Sequence, residues 1–182
     1  MKKRTQRMGL VITGLLILVA AYGLSQYGPP TDPQPPQPPT PQQQGSGVIL
    51  LTALLTVTQE VPPAAAATPA TARGAAVLLF DPATSTLNFS LAYAGLSGAA
   101  TAAHFHNGAF GAAGPVAVWI CGPPAQNPLS GACPATPSGF LTGTWSVPAG
   151  LVPTLLAGGL YINVHTALNS PGEIRGQVVP AP

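Results

Sequence analysis

Proline and glycine interrupt this sequence so often that they restrict it to short regular elements. The chain of 182 residues contains 23 prolines and 21 glycines. After residue 47, short aliphatic and β-branched runs lie between them. Short apolar runs bounded by turn-forming residues are typical of strands, whereas helices need longer uninterrupted segments. The sequence therefore predicts an all-β domain over residues 48–182.

The strand pattern is clearest at residues 86–93, where Leu87, Phe89, Leu91 and Tyr93 alternate with smaller or polar residues. Residues two apart share one face of a strand, so this pattern indicates one buried face. Other strands are predicted at residues 48–57, 74–80, 100–106, 116–120, 140–147, 160–165 and 173–179, with a hairpin turn at 81–85 and a short helix at 151–157. About seven to nine short strands joined by frequent turns predict a two-sheet sandwich or a Greek-key barrel, and of the two we favour the Greek-key β-sandwich.

Residues 1–25 have the pattern of an export signal. Four basic residues lie among the first seven, and the run from residue 8 to residue 24 is apolar and uncharged. This pattern fits a cleaved signal peptide or a retained signal anchor, in which a transmembrane helix attaches the protein to the membrane. Val19 and Ala21 form a weak cleavage site, so both alternatives stay open. In either case the domain is predicted to be extracytoplasmic, either secreted or anchored at the cell surface or in the periplasm.

Residues 26–47 are predicted to be a linker rich in proline and glutamine. Between residues 28 and 47 there are eight prolines and five glutamines. Proline fixes φ and lacks an amide hydrogen, so this composition favours an extended polyproline II conformation. We expect a semi-rigid spacer between the N-terminal segment and the domain.

Charge is scarce beyond the N-terminus. Only Arg73 and Arg175 among the six basic residues follow residue 7, so no basic patch is available for a nucleic acid. The carboxylates of residues 48–182 are those of Glu60, Asp81 and Glu173, and no serine lies in a nucleophile-elbow motif. The sequence therefore favours a non-enzymatic protein.

Cys121 and Cys133 bracket a loop that is rich in proline and glycine. Outside the cytoplasm two cysteines most simply pair, and closing a loop of this length stabilises a fold by roughly 2–3 kcal/mol. A redox pair more often has CxxC spacing, and a thiolate metal site needs further ligands nearby. We predict a structural disulfide.

Three histidines are the main candidates for a site. His104 and His106 flank Phe105, so on a strand both imidazoles share the face opposite the phenyl ring. His165 likewise lies opposite the aliphatic residues of its own strand. If the two strands are neighbours, three imidazoles converge on one surface and form a nitrogen site suited to copper or zinc. The alternative is that these histidines hydrogen-bond loop backbone in a structural role.

Three polar residues are predicted to lie near these histidines. Asn163 shares the face of His165, and Glu173 and Arg175 share one face of the last predicted strand. They are candidates for orienting the ligands from a second layer. For Glu173 and Arg175 the sequence favours a simpler interpretation, an exposed ion pair worth under about 1 kcal/mol.

Seven motifs in register resemble the chordin-type (CHRD) domain family. They are Gln-Glu-Val-Pro-Pro at 59–63, Phe-Asp-Pro-Ala-Thr-Ser-Thr-Leu at 80–87, Gly-Leu-Ser-Gly at 95–98, Ala-His-Phe-His-Asn-Gly at 103–108, Gly-Pro-Val at 114–116, Tyr-Ile-Asn-Val-His-Thr at 161–166 and Pro-Gly-Glu-Ile-Arg-Gly-Gln at 171–177. The resemblance implies an extracytoplasmic sandwich of the immunoglobulin-like or superoxide-dismutase-like type. The family occurs in repeats in animal chordins, which bind growth factors, and singly in bacterial secreted proteins, which this chain resembles. The loop closed by the two cysteines departs from the commonest family pattern.

The His-x-His pair is also similar to the metal strand of copper–zinc superoxide dismutases. That similarity implies His104, His106 and His165 as copper ligands. The fourth copper histidine and the zinc ligands are missing, which excludes a binuclear dismutase.

Three functional hypotheses remain at this stage. The first is a non-enzymatic binding module of the cell envelope that has a surface copper or zinc site and binds an unknown protein or metal ligand. The second is a mononuclear copper redox protein. The third is a structural or adhesive surface protein, because low charge permits self-association. The predicted partners also include the membrane, if the N-terminal segment is retained.

Overall fold

The computed structural model describes residues 47–182, so the predicted export segment and nearly all of the predicted linker lie outside the described residues. In this part of the chain the strands are β1 (Ile49–Thr56), β2 (Arg73–Asp81), β3 (Thr86–Ala94), β4 (Ala100–Asn107), β5 (Val116–Cys121), β6 (Gly139–Ser146), β7 (Leu160–Thr166), β8 (Ile174–Gln177) and β9 (Val179–Pro180). The helical elements are α1 (Val152–Leu156) and 3₁₀ turns at Val57–Gln59, Pro124–Gln126 and Ala149–Leu151. Over residues 47–182, no helix has the length and apolar character that crossing a membrane requires.

The strands form one antiparallel sheet in the order β5-β4-β7-β8-β1-β2-β3-β6, and β9 pairs with β1. The sheet curves until its two halves pack face to face. Phe105 on β4 contacts Phe89 on β3, with ring centroids 5.5 Å apart, and it stacks on Trp145 of β6 at 5.4 Å. The predicted all-β fold is confirmed, and the two packed layers are halves of one sheet.

The core lies between these two halves, and its residues follow the alternation that the sequence predicts. On β3, the four residues of the predicted apolar face are all buried, and the same alternation buries one face of β1 and β2. The outward residues of this half are exposed, with Leu54 72% and Phe140 65% accessible. By contrast, every residue of β7 and β8 is buried. The outer face of these two strands is therefore covered, and the candidate site lies beneath that cover.

Two local departures from the sequence prediction are small. The last predicted strand is divided into β8 and β9 at Val178, whose side chain is fully buried and whose N–H donates to the Leu160 carbonyl at 2.9 Å. The predicted short helix is shorter by one residue at each end, and Pro153 lies in its first turn, where a missing N–H costs little.

The predicted disulfide between Cys121 and Cys133 is present. The loop that it closes covers both open edges of the sheet, β5 and β6. Ser130 donates its backbone N–H to Ile120 of β5 at 2.8 Å and its hydroxyl to the Thr142 carbonyl of β6 at 2.6 Å. Unpaired strand edges favour pairing with other chains, so this loop protects the edges as well as bridging them.

Replacing Cys121 and Cys133 with serine in one double variant is expected to lower the free energy of unfolding by about 3 kcal/mol, because the unfolded chain regains the freedom of an open loop. Urea denaturation followed by circular dichroism measures this loss as a lower midpoint. Wild-type protein under reducing conditions should show the same decrease. An unchanged midpoint in both would contradict a stabilising role for the bridge.

Candidate metal centre

Two neighbouring strands bring the three histidines together. His104 and His106 lie on β4, and His165 lies on β7, which pairs with β4 in antiparallel register. Phe105 points into the core between the two β4 histidines and is fully buried. One side-chain nitrogen of each histidine lies within 4.8 Å of those of the other two. The two strands are therefore neighbours, which was the condition for convergence, and the predicted shared face of the imidazoles is observed.

The histidines are not at the surface, however. His104, His106 and His165 are only 6%, 8% and 7% exposed. The ring of Trp119 meets His104 edge-on at 4.1 Å, and Tyr161 stacks on His106 at 4.7 Å with an angle of 7° between the ring planes. The expectation of a surface site is wrong, because aromatic rings and the loops after β4 and β7 cover this face of the sheet.

Loop carbonyls determine which nitrogen of two imidazoles carries the proton. His106 Nδ1 lies 2.9 Å from the Gly114 carbonyl oxygen, and His165 Nδ1 lies 2.9 Å from that of Ser170. A carbonyl only accepts, so both Nδ1 atoms are donors and each neutral ring has its lone pair on Nε2. Gly114 is required here, since a Cβ atom at this position would lie 1.8 Å from the Asn107 carbonyl oxygen.

The centre of the cluster has more lone pairs than protons. His165 Nε2 lies 2.9 Å from His104 Nδ1 and 2.8 Å from Asn163 Oδ1. The amide oxygen of Asn163 faces the histidines, and its amide nitrogen lies 3.4 Å from the Pro171 carbonyl. A neutral His104 can place its one proton on Nδ1 and donate it to His165 Nε2. No proton then lies between His165 Nε2 and Asn163 Oδ1, so two acceptors face each other there. The remaining Nε2 atoms of His104 and His106 are buried and have no hydrogen-bond partner.

The histidines are held in their neutral form. Burial, together with the charges of His165 and His106, lowers the pKa of His104 to about 3. Burial is also the main cause that lowers the pKa of His106 and that of His165. An extra proton is therefore disfavoured at neutral pH and does not relieve the contact between lone pairs.

This donor set fits a transition-metal ion. Ligands of a tetrahedral ion at 2.0–2.1 Å lie roughly 3.3 Å apart; the two contacts at His165 Nε2 are 2.8 and 2.9 Å, and the three histidine nitrogens lie within 4.8 Å of one another. The donors are three imidazole nitrogens and the Asn163 amide oxygen, with no thiolate or carboxylate among them. Imidazole nitrogen suits copper and zinc, whereas calcium and magnesium prefer oxygen ligands.

The predicted exposed ion pair between Glu173 and Arg175 is wrong. The two side chains are 0% and 1% exposed, and they share no direct contact in the described part of the chain. The Arg175 guanidinium lies 3.6 Å above the Tyr161 ring and donates to the Ala109 carbonyl at 2.9 Å. The sequence did not reveal this burial, because it depends on loops that pack over the outer face of the sheet.

Glu173 anchors one of those loops. Its carboxylate accepts hydrogen bonds from the Ser97 backbone N–H at 2.6 Å, the Ser97 and Thr166 hydroxyls at 2.5 Å each, and the Asn169 amide at 2.8 Å. Asn169 begins the segment whose carbonyls, at Ser170 and Pro171, contact His165 and Asn163. Glu173 therefore does not touch a histidine, and it acts on the cluster only through this loop.

Glu60 is a buried acid that the sequence analysis did not assign to this region. It is 5% exposed, and burial is the largest influence that raises its pKa, to about 8. It contacts Gly172, which has a φ of +141° and where a Cβ atom would lie 2.5 Å from Glu60 Oε2. The family-like motif at residues 59–63 contains Glu60, but nothing in that motif indicates that the side chain is buried.

A family model described as the CHRD domain matches residues 51–178, which is most of the chain. The match includes β1 to β8 and all three histidines. Neither the search of curated proteins nor the search of solved structures found a significant match.

Proposed function

The chain belongs to the CHRD domain family, and on this premise we propose that it is an extracellular binding module that holds one copper or zinc ion between His104, His106 and His165. CHRD domains occur in extracellular proteins, which supports the extracytoplasmic location predicted from the N-terminal sequence. The proposal concerns what the histidines bind, since the family alone implies only a small binding-type module.

The observation that carries the proposal is the proton deficit at the centre of the cluster. His165 Nε2 faces both His104 Nδ1 and Asn163 Oδ1 at under 3 Å. A cation among these atoms would replace the remaining repulsive contact between lone pairs with ligand bonds. A purely structural role for the histidines explains less, because it leaves the buried Nε2 atoms of His104 and His106 unpaired at a cost of about 1–3 kcal/mol each.

The surroundings favour binding over catalysis. A metal ion held here would supply a Lewis-acidic or redox-active centre. In residues 47–182 the carboxylate of Glu173 is occupied by hydrogen bonds from Ser97, Thr166 and Asn169, and no acid or base is within hydrogen-bonding distance of the histidine nitrogens apart from the histidines themselves. The chain's own residues therefore orient the ligands and exclude water.

Metal titration of the full-length chain tests the proposal, with tryptophan fluorescence as the local signal. Trp119 lies 4.1 Å from His104, whereas Trp145 is in the core, stacked on Phe105. We expect copper to bind one equivalent per chain with a Kd below micromolar and to quench the Trp119 emission. Metal analysis after gel filtration measures the stoichiometry for copper and for zinc.

The matched control is Trp119→Phe, which should lose most of the quenching and still retain one equivalent of metal. Quenching that persists in this variant would place the ion elsewhere. Failure of both copper and zinc to bind below micromolar would overturn the proposed function.

A further inference from the structure

We propose that the histidine site selects monovalent copper, Cu(I), over the divalent ions Cu(II) and Zn(II), because neutral ligands and a buried guanidinium surround the ion. This inference rests on the proposed function and adds the charge and oxidation state of the ion. It follows from the neutral donors at the site, from the positive charge of Arg175 nearby, and from the absence of a compensating carboxylate among the described residues.

The donors carry no negative charge. His104, His106 and His165 supply imidazole nitrogens, and Asn163 supplies an amide oxygen. A buried divalent ion among four neutral donors keeps its full charge with little water to solvate it, which is costly in a protein interior. A monovalent ion leaves half of that charge to be stabilised.

The acids near the site do not compensate for a second positive charge. The Glu173 carboxylate points at Ser97, Thr166 and Asn169. Glu60 is the other buried acid, and its pKa of about 8, which is raised chiefly by burial, keeps it mostly protonated at pH 7.

A fixed positive charge lies one aromatic ring from the ligands. The Arg175 guanidinium is 1% exposed, lies 3.6 Å above Tyr161, and Tyr161 in turn stacks on His106 at 4.7 Å. Its hydrogen-bond partners are neutral, the Ala109 carbonyl at 2.9 Å and the Gln177 amide oxygen at 3.4 Å. The acid that interacts with it is Glu60, whose pKa Arg175 lowers but burial raises to about 8. A guanidinium remains protonated in proteins, so its repulsion acts on any ion in the site.

The strength of this repulsion grows with the charge of the ion. The spacings of 3.6 Å and 4.7 Å place the guanidinium at most about 8 Å from the centre of the His106 ring. For a charge at about that distance and an effective dielectric constant of about 20, each further unit of metal charge weakens binding by roughly 10- to 30-fold. Arg175 therefore acts as a specificity-determining residue without being a ligand.

Competition titrations with the full-length chain test the inference. Under anaerobic conditions, a chromophoric Cu(I) chelator reports the Kd for Cu(I), and chelators for divalent ions report the Kd values for Cu(II) and Zn(II). We expect Cu(I) to bind most tightly. In Arg175→Gln the preference for Cu(I) over Cu(II) should narrow by roughly tenfold, because one repelling charge is gone.

Two matched variants separate charge from structure. Arg175→Lys keeps the charge and should keep a preference close to that of the wild type. Arg73→Gln removes the other arginine of the domain, which is exposed on β2, and should leave all three Kd values unchanged.

The outcomes distinguish this inference from the proposed function. Tighter binding of Cu(II) or Zn(II) than of Cu(I), or an unchanged preference in a folded Arg175→Gln variant, overturns the selection of Cu(I) and leaves the metal site standing. Absence of binding for all three ions overturns both. If Arg175→Gln fails to fold, the order of the wild-type affinities decides alone.

Discussion

Replacing His165 with alanine is expected to weaken metal binding by more than the roughly 10- to 100-fold that loss of an outer-layer partner costs at a metal site. Among the proposed ligands, His165 has the Nε2 atom that lies within 3 Å of two others, His104 Nδ1 at 2.9 Å and Asn163 Oδ1 at 2.8 Å. Its removal leaves the two β4 histidines and a weak amide donor. Competition titration with a chromophoric chelator measures the change in Kd.

The same variant separates metal binding from folding. Metal at about 100 times its Kd should stabilise the wild-type protein by about 2.7 kcal/mol, which thermal unfolding detects as a higher Tm. We expect no metal-dependent rise in Tm for the His165→Ala variant. Asn88→Ala is a matched control, because Asn88 is polar and exposed on the uncovered half of the sheet, and it should retain the full rise. A rise in Tm equal to that of the wild type in His165→Ala would contradict the proposed ligand set.

Local periodicity was enough to predict which side chains share a face. His104, Phe105 and His106 follow the strict alternation of a strand, so the positions of the imidazoles and of the phenyl ring were decided by their spacing alone. The same rule predicted the buried face of β3. Such predictions succeed because they depend on neighbours in sequence, and the geometry of one strand determines the result.

The burial of the site could not be predicted in this way. Trp119, Tyr161 and Arg175 cover the histidines only because β5 and β7 flank β4 and β8 follows β7 in the sheet, and no local pattern specifies that order. Because charged side chains are mostly exposed in proteins, the sequence favoured a solvated ion pair between Glu173 and Arg175. The structure instead buries both groups, and each finds neutral hydrogen-bond partners.

The shortage of protons at the centre of the histidine cluster also could not be predicted from the sequence. It depends on two carbonyl groups, those of Gly114 and Ser170, which belong to loops and are brought to His106 and His165 by tertiary packing. Any residue type can supply a carbonyl, so the sequence carries no sign of such a contact. Once the loop positions are known, counting donors and acceptors leads to the proposed cation site.

Loss of the Glu173 carboxylate is expected to destabilise the domain by about 3–5 kcal/mol, because Glu173→Ala removes the buried charged acceptor that donors of Ser97, Thr166 and Asn169 share. Urea denaturation at pH 7 measures this loss. Asp81→Ala is the control, since Asp81 makes one local bond, to the Ala83 N–H, and its loss should cost under about 1 kcal/mol.

The pH dependence of unfolding gives a second test of the same carboxylate. Burial alone raises the pKa of Glu173, but hydrogen bonds from Ser97, Thr166 and Asn169 outweigh it and lower the pKa below its ordinary value of 4.5. A lowered pKa in the folded state means that the carboxylate stabilises the fold above about pH 4.5 and that this contribution is lost as pH falls through the folded-state pKa. Glu173→Gln, which cannot ionise, should therefore lose less stability between pH 5 and pH 2 than the wild type. Parallel acid profiles for the two proteins would show instead that the hydrogen-bonded carboxylate is not what supports the loop behind His165.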